Sequence, residues 1–179
     1  MIRTHEPLLG RNWRIAGWAS AAGLLALPAV AMLLTGGVDW TVGDFAAAGL
    51  LLGSLGIGLE LALRTSRSWP RFLGIALAAG TAFLTVWSNL AIGILGNEAD
   101  PVNSLFFVVL FVGALLGAFM RFRSRPMARI AALMAASQFA IGIYATEYAD
   151  RAYVEWGVLC LFAGLWSAVS LLLNRATRD

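Results

Sequence analysis

The stretch Trp87–Ser104, WSNLAIGILGNEADPVNS, decides how the whole chain is read. An apolar run carrying Asn89 stops at Gly96, an acidic loop with Glu98 and Asp100 follows, and Asp100-Pro101 opens the next apolar run. A carboxylate before proline suits a helix cap followed by a first helical position, where the missing proline N–H is no loss. The order recurs further along. Asn89-x-Ala91-Ile92-Gly93-Ile94 with Glu98 matches Gln138-x-Ala140-Ile141-Gly142-Ile143 with Glu147 at one spacing. Each copy is followed by another apolar span, so the pattern reads as a duplicated helical hairpin, spans three and four repeating as spans five and six. Both copies run in the same direction, which makes the repeat parallel rather than inverted.

Outward from that stretch, composition sets the class. The chain has 179 residues, of which 60% are hydrophobic and 13% charged, too apolar for an ordinary soluble domain. Runs of about 20 apolar residues match a hydrocarbon layer roughly 30 Å thick. Six are expected: Ile15–Leu34, Gly43–Leu63, Phe72–Leu95, Ser104–Met120, Met127–Ala145 and Ala152–Leu173. Residues 1–14 form a polar arm, 15–174 a six-helix membrane domain, and 175–179 a tail. The first span begins like a secretory leader, with Ala29-Val30-Ala31 resembling a cleavage site. Its apolar run continues to Leu34, so a retained span with a kink at Pro28 is expected. The lone Cys160 lies inside a span and excludes a disulfide framework within one chain.

Charge orients the bundle. The net charge of +3 would point to nucleic acid in a soluble protein, but here the basic residues sit between apolar spans and nucleic acid is rejected as a partner. All basic residues are Arg, which together with the Ala and Gly content reads as a GC-rich, bacterial coding bias. With the amino terminus in the cytoplasm, every Arg except Arg151 falls on the cytoplasmic side, as the positive-inside rule requires. The expectation is therefore an all-α bundle of six spans with both termini cytoplasmic, multi-pass in a bacterial inner membrane. Tyr144, Tyr148, Tyr153, Trp40 and Trp156 fall near outer boundaries and Trp13, Trp18 and Trp69 near inner ones, as aromatic belts do.

Three polar residues lie within spans. Asn89 and Gln138 sit at similar depth on faces lined by small residues: Ala78, Ala82, Thr85, Gly93 and Gly96 for Asn89, and Ala131, Ala135 and Gly142 for Gln138. Carboxamides on such faces bond across helix contacts, and the competing reading is a polar substrate site. Glu60 shares a face with Gly49, Gly53 and Gly56 and precedes Arg64 by four residues, the favourable order for a pair on a helix surface. An acid within a span is otherwise a functional signal. Gly113 and Gly117 form a GxxxG step that reads as helix contact. The outer face gathers Asp39, Asp44, Glu98, Asp100, Glu147, Asp150 and Glu155. These form either a cation-attracting mouth or, more economically, caps at the starts of the second, fourth and sixth spans. His5 is the single histidine, which excludes paired-histidine haem ligation and histidine metal clusters within one chain. No nucleophile elbow or phosphate-binding loop is present, so no catalytic residue, cofactor or metal is expected and the chain reads as a non-enzyme.

The run VWSNLAIGILGNEADPVN, followed by a glycine-bearing span ending in Arg121-Phe122-Arg123, resembles a group of small, uncharacterised bacterial inner-membrane proteins. The resemblance is strongest in the middle third of the chain. It implies a membrane location and carries no activity, cofactor or functional residue. Where that group shows an acidic pair followed directly by Asn-Pro, this chain has Glu98-Ala99-Asp100-Pro101. Two functions are weighed. The first is an accessory or scaffold subunit that meets the lipid bilayer and other membrane proteins through small-residue helix faces. The alternative is a small transporter or channel for an ion or small polar solute, with Glu60 and the carboxamides lining its path.

Overall fold

The computed structural model describes residues 11–147 and 154–177. Among them are six helices long and apolar enough to cross a membrane. They are α1 (Arg11–Leu34), α2 (Val42–Thr65), α3 (Trp69–Ala91), α4 (Ser104–Phe119), α5 (Ser124–Glu147) and α6 (Trp156–Arg175). A 3-10 turn, Pro101–Asn103, leads into α4. The chain is an integral, multi-pass membrane protein of the all-α class. It divides into two compact units, residues 1–65 and 66–179.

The first unit is an antiparallel hairpin with one clean register. A Cβ added at Gly56 would lie 2.7 Å from Cη2 of Trp18, and one at Gly49 would lie 3.8 Å from Cδ2 of Leu25. Arg14 and Glu60 extend the same count by one turn. Glycine at Gly56 is thus a socket for the Trp18 ring, and close helix approach follows from small residues rather than from any driving force against lipid. Helix α2 starts on a reciprocal cap: Asp44 Oδ2 accepts from the Thr41 backbone N–H at 2.7 Å, and Thr41 Oγ1 accepts from the Asp44 N–H at 3.3 Å. Two otherwise orphaned donors are satisfied this way. Pro28 lies inside a continuous α1.

The second unit is built around α5. Its buried stripe runs Ala128, Ala131, Met134, Ala135, Gln138, Ile141, Gly142, Ala145, a helical period of three and four, with Ile130 buried beside it. Helix α6 packs along α5, α3 packs on α6, and α4 packs on α5, whereas α3 and α4 touch only briefly. The glycines of α4 receive methionines. A Cβ at Gly113 would lie 2.8 Å from Sδ of Met134, and one at Gly117 would lie 2.9 Å from Sδ of Met127, so the GxxxG step is a helix contact, as expected. Flexible thioethers suit such shallow grooves. The α4–α5 turn is tight, with Arg121 and Phe122 both in the left-handed region. Two apolar clusters fill the unit. One holds Ile94, Leu95, Val102, Phe106, Ile141, Leu159 and Phe162 towards the acidic end. The other holds Ala131, Met134, Trp166, Val169 and Leu173 towards the arginine-bearing end.

Two boundaries expected from the sequence are corrected. The sixth span was expected from Ala152, but Val154 and Glu155 precede the helix, which starts at Trp156. The third span was expected to reach Leu95, but α3 ends at Ala91. The N–H groups of Ile92 and Gly93 both turn back to the Ser88 carbonyl, at 3.1 and 3.0 Å. Gly93 then takes φ +76, where an added Cβ would lie 2.3 Å from the backbone carbon of Asn97. Only glycine fits there. Ala91-Ile92-Gly93-Ile94 therefore leaves the helix, while its counterpart Ala140-Ile141-Gly142-Ile143 stays inside α5. The two copies share their sequence and part in conformation at this step. Their hairpins also pack differently, closely for α5 and α6 and slightly for α3 and α4.

Candidate functional site

Glu60 is held from two sides. Its Oε2 accepts from Nε of Arg14 at 2.9 Å, its Oε1 accepts from Nε of Arg64 at 2.7 Å, and Nη2 of Arg14 also pairs with Oε1. The Arg64 pair follows from the spacing of four. Arg14 comes from the other helix, placed there by the register that seats Trp18 on Gly56. Glu60 is only 17% exposed at its side chain, against 44% for Arg14 and 69% for Arg64, so the guanidinium groups bring the charge to the surface while the carboxylate stays largely covered. Every carboxylate oxygen is engaged, and the arrangement clamps the hairpin at its arginine-bearing end.

In the second unit Asn89 and Gln138 are both buried, at 2% exposure. They do not bond across helices, which corrects the expectation of interhelical carboxamide bonds. Asn89 Nδ2 donates to the Thr85 carbonyl at 2.7 Å, and Gln138 Nε2 donates to the Met134 carbonyl at 3.2 Å, each one turn back on its own helix. A helical side chain leans towards the amino terminus of its helix, which brings the amide to that carbonyl. Thr81 and Thr85 do the same, donating to Leu77 and Thr81 carbonyls at 2.8 Å. Asn89 Oδ1 and Gln138 Oε1 are left without partners, as is Nε1 of Trp166 on α6. Of the small residues expected beside Asn89, Gly93 and Gly96 lie in the loop beyond α3.

Asn103 was missed by the sequence reading. It is buried beneath the loop, where its Oδ1 accepts from the Leu95 N–H at 2.9 Å and its Nδ2 donates to the Leu95 and Asn97 carbonyls at 3.0 and 2.7 Å. An asparagine just after Asp-Pro reads from sequence as part of a cap, and nothing local marks it as a clamp for a segment eight residues earlier. Trp166 carried a usable signal, since an indole N–H mid-span is far from either aromatic belt.

The acidic residues sort by their partners. Asp44 caps α2, and Asp100 Oδ1 accepts from the Val102 N–H at 2.9 Å ahead of the 3-10 turn. Glu155 stands at the start of α6 but gives it no side-chain cap. Its Oε1 instead meets the Gly96 N–H at a long 3.5 Å. Asp39, Glu98 and Glu147 are exposed, and Asp150 lies outside the described residues. No cluster of three or more His, Cys, Asp or Glu side chains that could hold a metal ion occurs among the described residues. Comparison with protein-family models, with characterised proteins and with solved structures finds no match to this chain.

Proposed function

We propose that the chain is a non-enzymatic accessory or scaffold subunit of a larger complex in a bacterial inner membrane, with both termini cytoplasmic. The observation that carries this reading is the condition of α1. None of its described residues is buried, and its side away from α2 presents Ala16, Ser20 and Gly23. A Cβ at Gly17 or Gly23 would meet nothing. Small-residue faces favour close approach by another helix within lipid. The clamped Glu60 supports the same reading, because an acid with two guanidinium partners has no free oxygen for a passing ion.

The second reading, a small transporter or channel, draws on the unpartnered oxygens of Asn89 and Gln138. Two carbonyl oxygens are too few to replace the hydration shell of an ion, which neutral sites do only with a full ring of them. Purification in mild detergent with mass spectrometry of attached proteins, run beside solute flux into vesicles of the purified protein, separates the two. The subunit reading expects a defined copurifying partner and no flux. Flux by the isolated protein that is lost in Glu60→Gln or Asn89→Leu would overturn it.

A further inference from the structure

Three polar atoms on three helices of the second unit share one property: each is buried and has no partner. They are Asn89 Oδ1 on α3, Gln138 Oε1 on α5 and Trp166 Nε1 on α6. Their residues are 2%, 2% and 5% exposed. The helix registers set them at neighbouring depths. Counting residue for residue from the Gly74–Leu173 contact sets Trp166 opposite Thr81 and Phe162 opposite Thr85. Counting from Gly142–Leu159 sets Trp166 opposite Ala135 and Gln138 opposite Ala163. Because Gln138 bonds the Met134 carbonyl, its amide lies towards the level of the Trp166 backbone. The Asn89 amide, bonded to the Thr85 carbonyl, sits about one turn, or roughly 5 Å, away along the bundle.

We propose that these side chains form an internal hydration site, in which on the order of one or two water molecules link α3, α5 and α6. Donor and acceptor chemistry selects the occupant. Each carboxamide turns one of its two N–H donors to its own backbone and leaves its carbonyl oxygen unpartnered. The Thr81 and Thr85 hydroxyls likewise spend their protons on the backbone and keep lone pairs. Indole Nε1 is a donor only. The site thus asks for a neutral molecule with two donors and an acceptor, and water is the smallest that qualifies. None of the three side chains carries a formal charge, and two carbonyl oxygens are too few to replace the hydration shell of a cation. Ala135 and Ala163, both short buried side chains, stand at the same levels. Asn89 and Gln138 lie between the two apolar clusters and Trp166 belongs to the second, so a bridging water lets the three helices exchange hydrogen bonds at that depth without moving their backbones.

The test is magnetic resonance on the full chain in lipid nanodiscs, with nitrogen-15 in the indole groups of its 7 tryptophans. Trp166→Phe assigns the signal. The Trp166 indole proton is expected to show a direct dipolar cross-peak to water although its residue is buried. Combining Asn89→Leu with Gln138→Met should remove that cross-peak while the other indole signals keep their positions, which reports an intact fold. A wild-type Trp166 signal with no water cross-peak overturns the proposal, and this arm needs no variant to fold. A cross-peak that survives loss of both carboxamides also overturns it, because the water would then be held by something else.

Discussion

Asn103 holds Leu95 by both backbone groups, accepting from its N–H at 2.9 Å and donating to its carbonyl at 3.0 Å. Leu95 itself is fully buried. The side chain therefore replaces the helical bonds that α3 gives up when it stops at Ala91, and it brings an apolar residue of the loop into the core. Asn103→Ala strips partners from buried backbone groups, each of which costs about 1–3 kcal/mol when left unsatisfied. The variant should unfold at lower denaturant in mild detergent and be cleaved faster by protease within residues 92–100. Unchanged stability would mean that the loop holds without the clamp.

Gly93 and Gly80 should respond in opposite directions to alanine. At Gly93 the new Cβ meets the backbone of Asn97 and φ is +76, while at Gly80, mid-α3, a Cβ meets nothing. Left-handed backbone alone costs an ordinary residue about 1–2 kcal/mol, and the backbone clash adds to it. Gly80→Ala should be neutral or stabilising by up to about 1 kcal/mol, from helix propensity. Thermal unfolding of the two variants side by side checks the pair.

These two glycines also mark what was legible in the sequence. The six spans were, because hydropathy and arginine placement act over many residues and survive any local detail. The end of α3 was not. Ile92, Ile94 and Leu95 are as apolar as the helix before them, so hydropathy runs on where the backbone turns. The termination rests on Gly93 and on Asn103, and the second lies beyond an acidic loop. The matching AIGI steps misled for a related reason: glycine permits both conformations, and tertiary partners choose between them. Gly142 packs its Cα face against Leu159 and Trp156, which keeps α5 helical there. The partner of Glu60 was half legible. Arg64 follows from spacing along one helix, whereas Arg14 depends on the hairpin register.

Arg14 and Glu60 should behave as one unit. Arg14→Gln and Glu60→Gln should each lower the unfolding temperature of the full chain, and the double variant should add little beyond the larger single effect, because each change alone leaves a charge facing a neutral partner. High salt should narrow the gap between the wild type and the single variants. Additive losses would show that the pair in the structure contributes no coupling.

The orientation has a direct check in intact cells. In a Cys160→Ser background, cysteines at Val38 and Ala99 should react with an impermeant thiol reagent from outside, and cysteines at Arg67 and Arg123 should not. Labelling in the opposite sense would reverse the orientation, and a mixed pattern would change the number of crossings.

The most direct test of the subunit reading is a photoreactive side chain placed at Ser20, on the face of α1 turned away from α2, in the full chain in native membranes. Phe111 on α4, 65% exposed, serves as the comparison. The account expects one discrete protein adduct from Ser20, the same protein that copurifies in mild detergent, and lipid adducts from Phe111. Lipid adducts alone from both positions, together with solute flux through the purified protein, would contradict it.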